Sequence, residues 1–450
     1  MVKKIMVAFI MGICIKALYS QPQLVWEREY PFLNPIDMTC DTNGNVFITG
    51  GSDGKIYTLK VSSNGDSLWG NKIDVISPYP DYNRGYGIVV SERGVYVIAA
   101  LCPSQGEYGI YLIRYNPYTG DTIYARYYFL MGSIWFPEMP KDIDLYSNGE
   151  KLVVVGTLGD PFLTGSAPTI YEFDAATGNV VNYAWYIGAG DVAISMSVKT
   201  NREGNFIVGG QMCEPPPYGL AGFYTWKVEQ SFSVIWAKHK WRVLPDPAIY
   251  PTLEGCEELT VDHEQNIITT GLLGEDYSNG MFHWWILKYT NDGILVWEKD
   301  LGRGRGYSVD CDIYNNLLVA GYSQLSSSGK IWYLSPSGDS IWCIDIPPNL
   351  WRLRFHRKND SLFFYVMRDY GPSVFLYKYF YGLVEIQEKE SKNLTILYKI
   401  PNILHNSSIF IDKNLYLYDI AGKKLKGMNR NGIYFIKDKE GNKKFKIIKF

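Results

Sequence analysis

The chain has 450 residues, of which 46% are apolar and 20% charged, the balance of a folded globular protein rather than a disordered one. Length alone suggests about three domains at roughly 150 residues each, but all-β barrels and propellers run longer as single units. Five His and seven Cys exclude a large metal cluster, while 36 Tyr, 13 Trp and 43 Gly favour pleated strands joined by glycine turns.

The first element is Met1–Ser20. It has a basic start at Lys3 and Lys4 and an apolar run over Ile5–Ile15, too short for a bilayer span of about 20 residues. That layout predicts a cleaved secretory signal ending at Ser20. Ile13 stands where a lipoprotein site before Cys14 would carry a small residue. No other stretch approaches spanning length, so the mature chain is expected to be exported, with no transmembrane segment.

From residue 37 to about 380 one unit recurs. Its first signature is a turn followed by an apolar strand ending in a small residue, as in Asn43–Gly50, Arg93–Ala100, Gly149–Gly156, Glu203–Gly210, Gln265–Gly271 and Asn315–Gly321. Asn359–Tyr365 is a degenerate seventh copy. A second signature follows a couple of dozen residues later, a turn glycine with an aromatic four positions on: Gly65–Trp69, Gly120–Tyr124, Gly293–Trp297 and Gly338–Trp342. Looser copies end at Tyr183 and Trp236.

A period of roughly 45–60 residues is the scale of a four-stranded propeller blade. One blade cannot bury both faces alone, so like faces stack radially and the aromatics fill the seams. The reading is an all-β, seven-bladed β-propeller over residues 21–385; six or eight blades fit the same spacing, and a tandem array of Ig-like domains would need about 100 residues per unit. The segment Leu24-Val-Trp-Glu matches Leu295-Val-Trp-Glu of the fifth repeat. It is therefore expected to supply the outer strand of the seventh blade and clasp the ring.

The Gly-x-x-x-Trp hairpins resemble the tryptophan-docking repeats of quinoprotein-like propellers, and the Asn-Gly-Asn strands resemble bacterial β-propeller repeats of the same class. The resemblance implies the fold over residues 37–345. It brings no quinone cofactor, because the vicinal Cys pair of quinoprotein dehydrogenases is absent. No cofactor and no metal are expected. The six Cys left after residue 20 are widely spaced without C-x-x-C and read as buried single thiols, although an exported chain permits disulfides.

In a propeller the inner strands line the channel and their entry loops form the usual binding mouth. Counting back ten positions from the turns at Gly94 and Asn315 reaches Arg84 and Arg305, each in the sequence Arg-Gly-Tyr with Tyr86 and Tyr307. Shared register would place these two arginines near the mouth, where with Arg303 they can hold a carboxylate, sulfate or phosphate. The competing arrangement pairs each arginine with a carboxylate of a neighbouring blade, Asp142 or Glu254 for instance. Glu257, Glu258 and Asp262 are the carboxylates nearest to an acid/base set, but successive strand residues face opposite sides, and Glu258 aligns with Asp37 as a structural position. No histidine motif, P-loop or G-x-S-x-G is present, so no catalytic residue is assigned. His283, Trp284, Trp285, Trp135 and Phe136, read as loop aromatics, can stack on sugar rings, although most such aromatics pack between blades.

After Gly382 comes the charged connector Glu385–Lys392, and residues 386–450 alternate apolar and polar residues between Gly/Asn turns, predicting a small Ig-like β-sandwich. The order Tyr418–Lys423, Gly432–Phe435 and a terminal Lys-rich strand resembles the C-terminal sorting domain of the type IX secretion system. That resemblance implies the secretion machinery as a partner and a secreted or outer-surface location in a Gram-negative-type bacterium; Lys399-Ile-Pro-Asn402 only partly echoes the family's Asn-Pro-Phe motif. Residues 421–450 carry ten Lys/Arg against Asp438 and Glu440, a local +8. With +3 in residues 1–20 and −2 overall, residues 21–420 carry −13. An acidic body is a poor nucleic-acid binder. The expected function is non-catalytic binding of a glycan, polymer or protein partner at the propeller face. A secreted carbohydrate-active hydrolase or lyase, or an envelope assembly scaffold, is the alternative.

Overall fold

The computed structural model describes residues 21–31, 34–75, 83–102, 108–130, 138–159, 166–186, 192–214, 220–243, 254–276, 281–358, 361–370 and 373–383, together with the C-terminal strands named below. The chain divides into two compact units. The larger comprises Leu24–His356 and Phe364–Lys378; the smaller gathers Met1–Gln23, Arg357–Phe363 and Tyr379–Phe450. Met1–Ser20 and the connector after residue 383 lie outside the described residues, and among the described residues no helix is long and apolar enough to cross a membrane.

Seven groups of four hydrogen-bonded strands succeed one another along the chain. Their innermost strands are Pro35–Cys40, Arg84–Ser91, Glu138–Tyr146, Val192–Thr200, Gly255–Val261, the second half of Leu295–Cys311, and Leu350–Lys358. Blades 4, 5 and 6 join into one continuous sheet. The 17-residue strand Leu295–Cys311 serves blade 5 as its outer strand and blade 6 as its inner one, and Gln211 bridges to Gly255 between blades 4 and 5. The seventh group is completed from the N-terminus, in the order Gln23–Tyr30, Ser373–Leu383, Ser361–Tyr370, Leu350–Lys358. The expected clasp is therefore the observed one.

Two turns explain the repeats. After the inner strand, Asp41 Oδ1 accepts the backbone N–H groups of Asn43 and Asn45, and Asp262 and Asp312 do the same for Glu264 and Asn266, and for Tyr314 and Asn316. These Asx turns need a left-handed residue, supplied by Gly44 (φ 79°), Gln265 (φ 68°) and Asn315 (φ 63°). The second turn joins the two outer strands, and its glycine is covered by the aromatic of the preceding blade. A Cβ on Gly120 (φ 77°) would come within 2.6 Å of the Trp69 ring, so both conformation and space require glycine there.

The cores lie in the seams between blades, not within them. Phe47 and Ile56 of blade 1 pack on Val95, Val97 and Tyr115 of blade 2, and Val153 and Ile170 of blade 3 on Phe206, Val208 and Tyr224 of blade 4. Three docking indoles also donate to a carbonyl of the next blade's turn: Trp69 to Pro117 (3.4 Å), Trp236 to Asn291 (3.1 Å) and Trp297 to Pro336 (3.0 Å). Trp26 of the N-terminal strand donates to Ser63 O (3.2 Å) and packs with Tyr365 and Met367 against Met38 and Leu59 of blade 1, closing the circle. One copy differs from the sequence reading. Tyr183 is 42% exposed, and the seam between blades 3 and 4 is filled instead by Tyr186, whose ring lies 5.0 Å from Trp226 and whose hydroxyl donates to Phe232 O.

In the smaller unit a four-stranded antiparallel sheet runs in the order Lys424–Leu425, Leu415–Asp419, Gly432–Asp438, Lys443–Lys449. The upstream part of the expected sandwich, residues 386–414, lies outside the described residues.

Candidate functional site

The centre of the propeller is organised by a β-bulge near the start of the inner strands. In blades 1 to 6 the pairing with the second strand slips at one residue: Ile36, Tyr86, Lys141, Met196, Glu257 and Tyr307. The bulge leaves that residue out of the ladder and turns it from the sheet.

The residue after the bulge faces the next blade. Asp37 Oδ2 accepts the Ile88 N–H (3.1 Å), Asp142 Oδ2 that of Val198 (2.9 Å), Ser197 Oγ that of Leu259 (3.3 Å), Glu258 Oε2 that of Val309 (2.9 Å) and Ser308 Oγ that of Leu353 (3.1 Å). Gly87 holds this position in blade 2, where a Cβ would meet the Asp142 backbone at 3.1 Å. The same register makes Arg352 the blade 7 equivalent and Trp351 its bulge residue. Arg352 and Arg354 close the chain of contacts on Asp37 (3.3 and 3.2 Å), and Arg354 also reaches Glu258 (2.8 Å). One strand pair further in, Asp310 accepts the Phe355 N–H (2.8 Å) and Asp144 that of Thr200 (2.7 Å).

These charges answer one another. Burial pushes the Asp37 and Asp310 carboxyls above their ordinary range despite Arg354. Burial would also raise Glu258, but Arg354 and Arg352 outweigh it and hold that carboxyl low. Burial disfavours the Lys199 ammonium, yet Asp142 and Asp144 keep its pKa above the usual lysine value. This layer is a lock between blades.

The bulge layer above it is differently composed. The Lys141 ammonium lies over the Tyr86 ring at 5.6 Å. Burial depresses its pKa; Glu257 opposes that effect and Arg84 adds to it, so the three strands that carry these groups converge at one mouth. Arg305 pairs with Glu257, which also accepts from Gln211 Nε2 (2.6 Å). The Arg305 guanidinium lies 5.3 Å from the Tyr307 ring, and Tyr307 lies 5.4 Å from Trp351, itself 39% exposed. Lys141 and Arg305 thus both interact with Glu257, with Arg84 near Lys141, among three aromatic rings.

Arg84 and Arg305 occupy equivalent places, each three residues before the locking position, and Tyr86 and Tyr307 are equivalent bulge residues. Arg303 stands apart, in register with His283 where blades 5 and 6 join. The competing arrangement, an arginine paired with a carboxylate of a neighbouring blade, holds for Arg305 through Glu257 of blade 5; of the two instances named, Asp142 accepts from Ser197 (2.9 Å) and Val198, and Glu254 accepts the Gly274 N–H (2.7 Å). His283, Trp284 and Trp285 lie on the strand Met281–Tyr289 rather than a loop; Trp284 is buried and Trp285 packs in the seam between blades 4 and 5. Trp135 and Phe136 lie outside the described residues. Lys141 and Trp351 were missed by the sequence reading. Among the described residues no group of His, Cys, Asp and Glu could hold a metal ion, and Cys40, Cys102, Cys256, Cys311 and Cys343 are free thiols.

No protein-family model matches the chain, and neither does any curated protein. Among solved structures it is similar to one described as "Structure of Dos1 propeller", with a TM-score of 0.47 and 9% identity over 77% of this chain and 78% of that one. Another is described as "Crystal Structure of Mitotic Checkpoint Complex", with a TM-score of 0.42 and 12% identity over 66% of this chain and 76% of that one.

Proposed function

We propose that the protein is a non-catalytic binding protein of the cell exterior, and that the propeller mouth holds an acidic glycan, polymer or protein partner. The observation that carries this is the gathering of cations and rings at the mouth: Arg84 near Lys141, Lys141 over Tyr86, and Arg305 on Glu257 beside Tyr307 and Trp351. Guanidinium and ammonium groups grip carboxylate or sulfate, while ring faces cover the apolar side of a sugar. Export rests on Met1–Ser20 and on the sorting-like segment after residue 386, whose Tyr418 and Gly432–Phe435 lie in neighbouring strands of the C-terminal sheet.

A hydrolase is the second reading, and one observation bears on it. Asp37 and Glu258 lie 3.2 and 2.8 Å from the same Arg354 nitrogen, so their oxygens are at most about 6 Å apart, an upper bound that admits the roughly 5–5.5 Å of retaining glycosidases and excludes the wider spacing of inverting ones. Both carboxylates are buried, and both hold guanidinium groups and a neighbouring strand's N–H, which favours the binding reading.

The test is affinity for polygalacturonate, a carboxylated polymer, compared with a neutral polysaccharide. The double variant Arg84→Met, Lys141→Met is expected to lose about 100-fold or more for the acidic polymer, since each of the two charged hydrogen bonds contributes about 1.5–3 kcal/mol. Added salt should weaken the wild-type interaction. Equal affinity in the double variant would refute the anionic mouth.

A further inference from the structure

Between blades 1 and 2, beside the mouth, lies a pocket of about 190 Å³ lined by Asn34, Gly51, Ser52, Asp53, Asn83 and Arg84, with Gly54. A cavity of about 150 Å³ accepts one six-membered ring, so this one has room for a single ring with substituents. Its side chains are all polar, which excludes an apolar occupant. Asn83 is 1% exposed. Its Nδ2 donates to Gly54 O (3.1 Å) and Val75 O (3.3 Å), which fixes the amide's orientation, and its Oδ1 is buried without a donor. An unmatched buried acceptor is costly, and a ligand hydroxyl would relieve it. Asp53, held in a left-handed conformation (φ 53°), takes Lys72 (2.9 Å) and Ser52 (3.2 Å) on one oxygen. Its carboxylate is a second acceptor at the rim.

The occupant must therefore offer hydroxyl donors to Asn83 and Asp53 and a carboxylate to the Arg84 guanidinium, all on one compact ring. We propose that this pocket holds one uronic-acid residue of an acidic glycan, with a ring hydroxyl donating to Asn83 Oδ1 and the carboxylate at Arg84. The proposal rests on the reading of the mouth as an anion-binding site, which shares Arg84, and it names the sugar class that the site takes.

The full chain should be titrated with methyl α-D-galacturonoside and, as its neutral counterpart, methyl α-D-galactoside. A Cβ on Gly51 would stand 3.2 Å from Arg84 Cβ and 3.4 Å from Asn83 O, so Gly51→Val fills the pocket without deleting a polar group, and valine suits a strand. The uronoside is expected to bind more tightly than the galactoside, and Gly51→Val to weaken it by about tenfold or more, the loss of roughly one good hydrogen bond. If thermal melting shows Gly51→Val unfolded, Arg84→Met replaces it with the same expectation. Uronoside affinity unchanged in a folded pocket variant overturns the proposal, as does equal affinity for the neutral sugar. Lys141 does not line the pocket and separates the two claims. Should Lys141→Met weaken polygalacturonate binding while the pocket variants leave the uronoside untouched, the mouth stands and the pocket falls; if none of the variants has an effect, both fall.

Discussion

Lys141 is placed by a bulge, and its surroundings set its charge. Burial and the nearby Arg84 depress its pKa, and Glu257 only partly restores it. The ammonium therefore loses its proton at a lower pH than an exposed lysine, and the sign follows directly: as pH rises, the mouth loses a positive charge and anion affinity falls. A binding titration from neutral to alkaline pH should show this decline below the ordinary lysine range, and Lys141→Met should abolish the step while leaving any later decline in place. A parallel pH profile for the variant would remove Lys141 from the site. Counting from the turns was enough to align Arg84 with Arg305, because blades 2 and 6 carry the same number of residues between those arginines and the turns at Gly94 and Asn315. The same count from Gly149 reaches Met139 in blade 3, three residues before Asp142, so the register holds there without a cation at that place. The bulge itself is invisible in an alternating pattern, since it inserts one residue and reverses which side chains face the channel. The lock formed by Asp37, Asp142, Ser197, Glu258 and Ser308 escaped notice for that reason, although the Asp37–Glu258 alignment was one visible trace of it.

At the scale of elements, the outer strands carry the seams. Trp26 is 9% exposed, packs against Leu59 and Val61 of blade 1 beside Tyr365, and donates its indole N–H to Ser63 O. Trp26→Ala is expected to cost about 3–5 kcal/mol, the range for truncating a large buried aromatic, measured as a lower midpoint in denaturant. A loss well under 1 kcal/mol would mean that the N-terminal strand does not hold the ring closed. This docking was legible because the residues that make it are local: a turn glycine, and an aromatic a fixed distance on in the preceding blade. It was misread only in blade 3, where the place four residues after the turn glycine Gly178 is held by Asn182; Tyr183, one residue on, is left exposed and the seam passes to Tyr186.

The whole molecule depends on charge as well as on apolar seams. Arg354 touches Asp37 of blade 1 and Glu258 of blade 5 together, 3.2 and 2.8 Å away, more closely than Arg352 does at 3.3 and 3.8 Å, and it also acts on Asp310 of blade 6. Removing it takes away the nearer of the two guanidinium groups that neutralise these buried carboxylates, so Arg354→Ala should destabilise by about 3–5 kcal/mol. Replacing both sides of such a lock with matched apolar groups can be neutral, which separates the geometry of the centre from its net strength. A denaturant midpoint unchanged in Arg354→Ala would show that the lock is dispensable. No single blade shows this arrangement, since each contributes only one or two of its members.

The split seventh blade also dictates an order of events in time. The strand Gln23–Tyr30 is made among the first, yet its place in the sheet beside Ser373–Leu383 does not exist until nearly the last propeller residue has been synthesised. The six other blades can assemble as they emerge from a ribosome or a translocation pore, but the early strand must wait unpaired, and such distant contacts form slowly. A chain cut short before residue 373 would leave both the early strand and the rim of blade 1 as open edges, the condition that invites pairing between molecules.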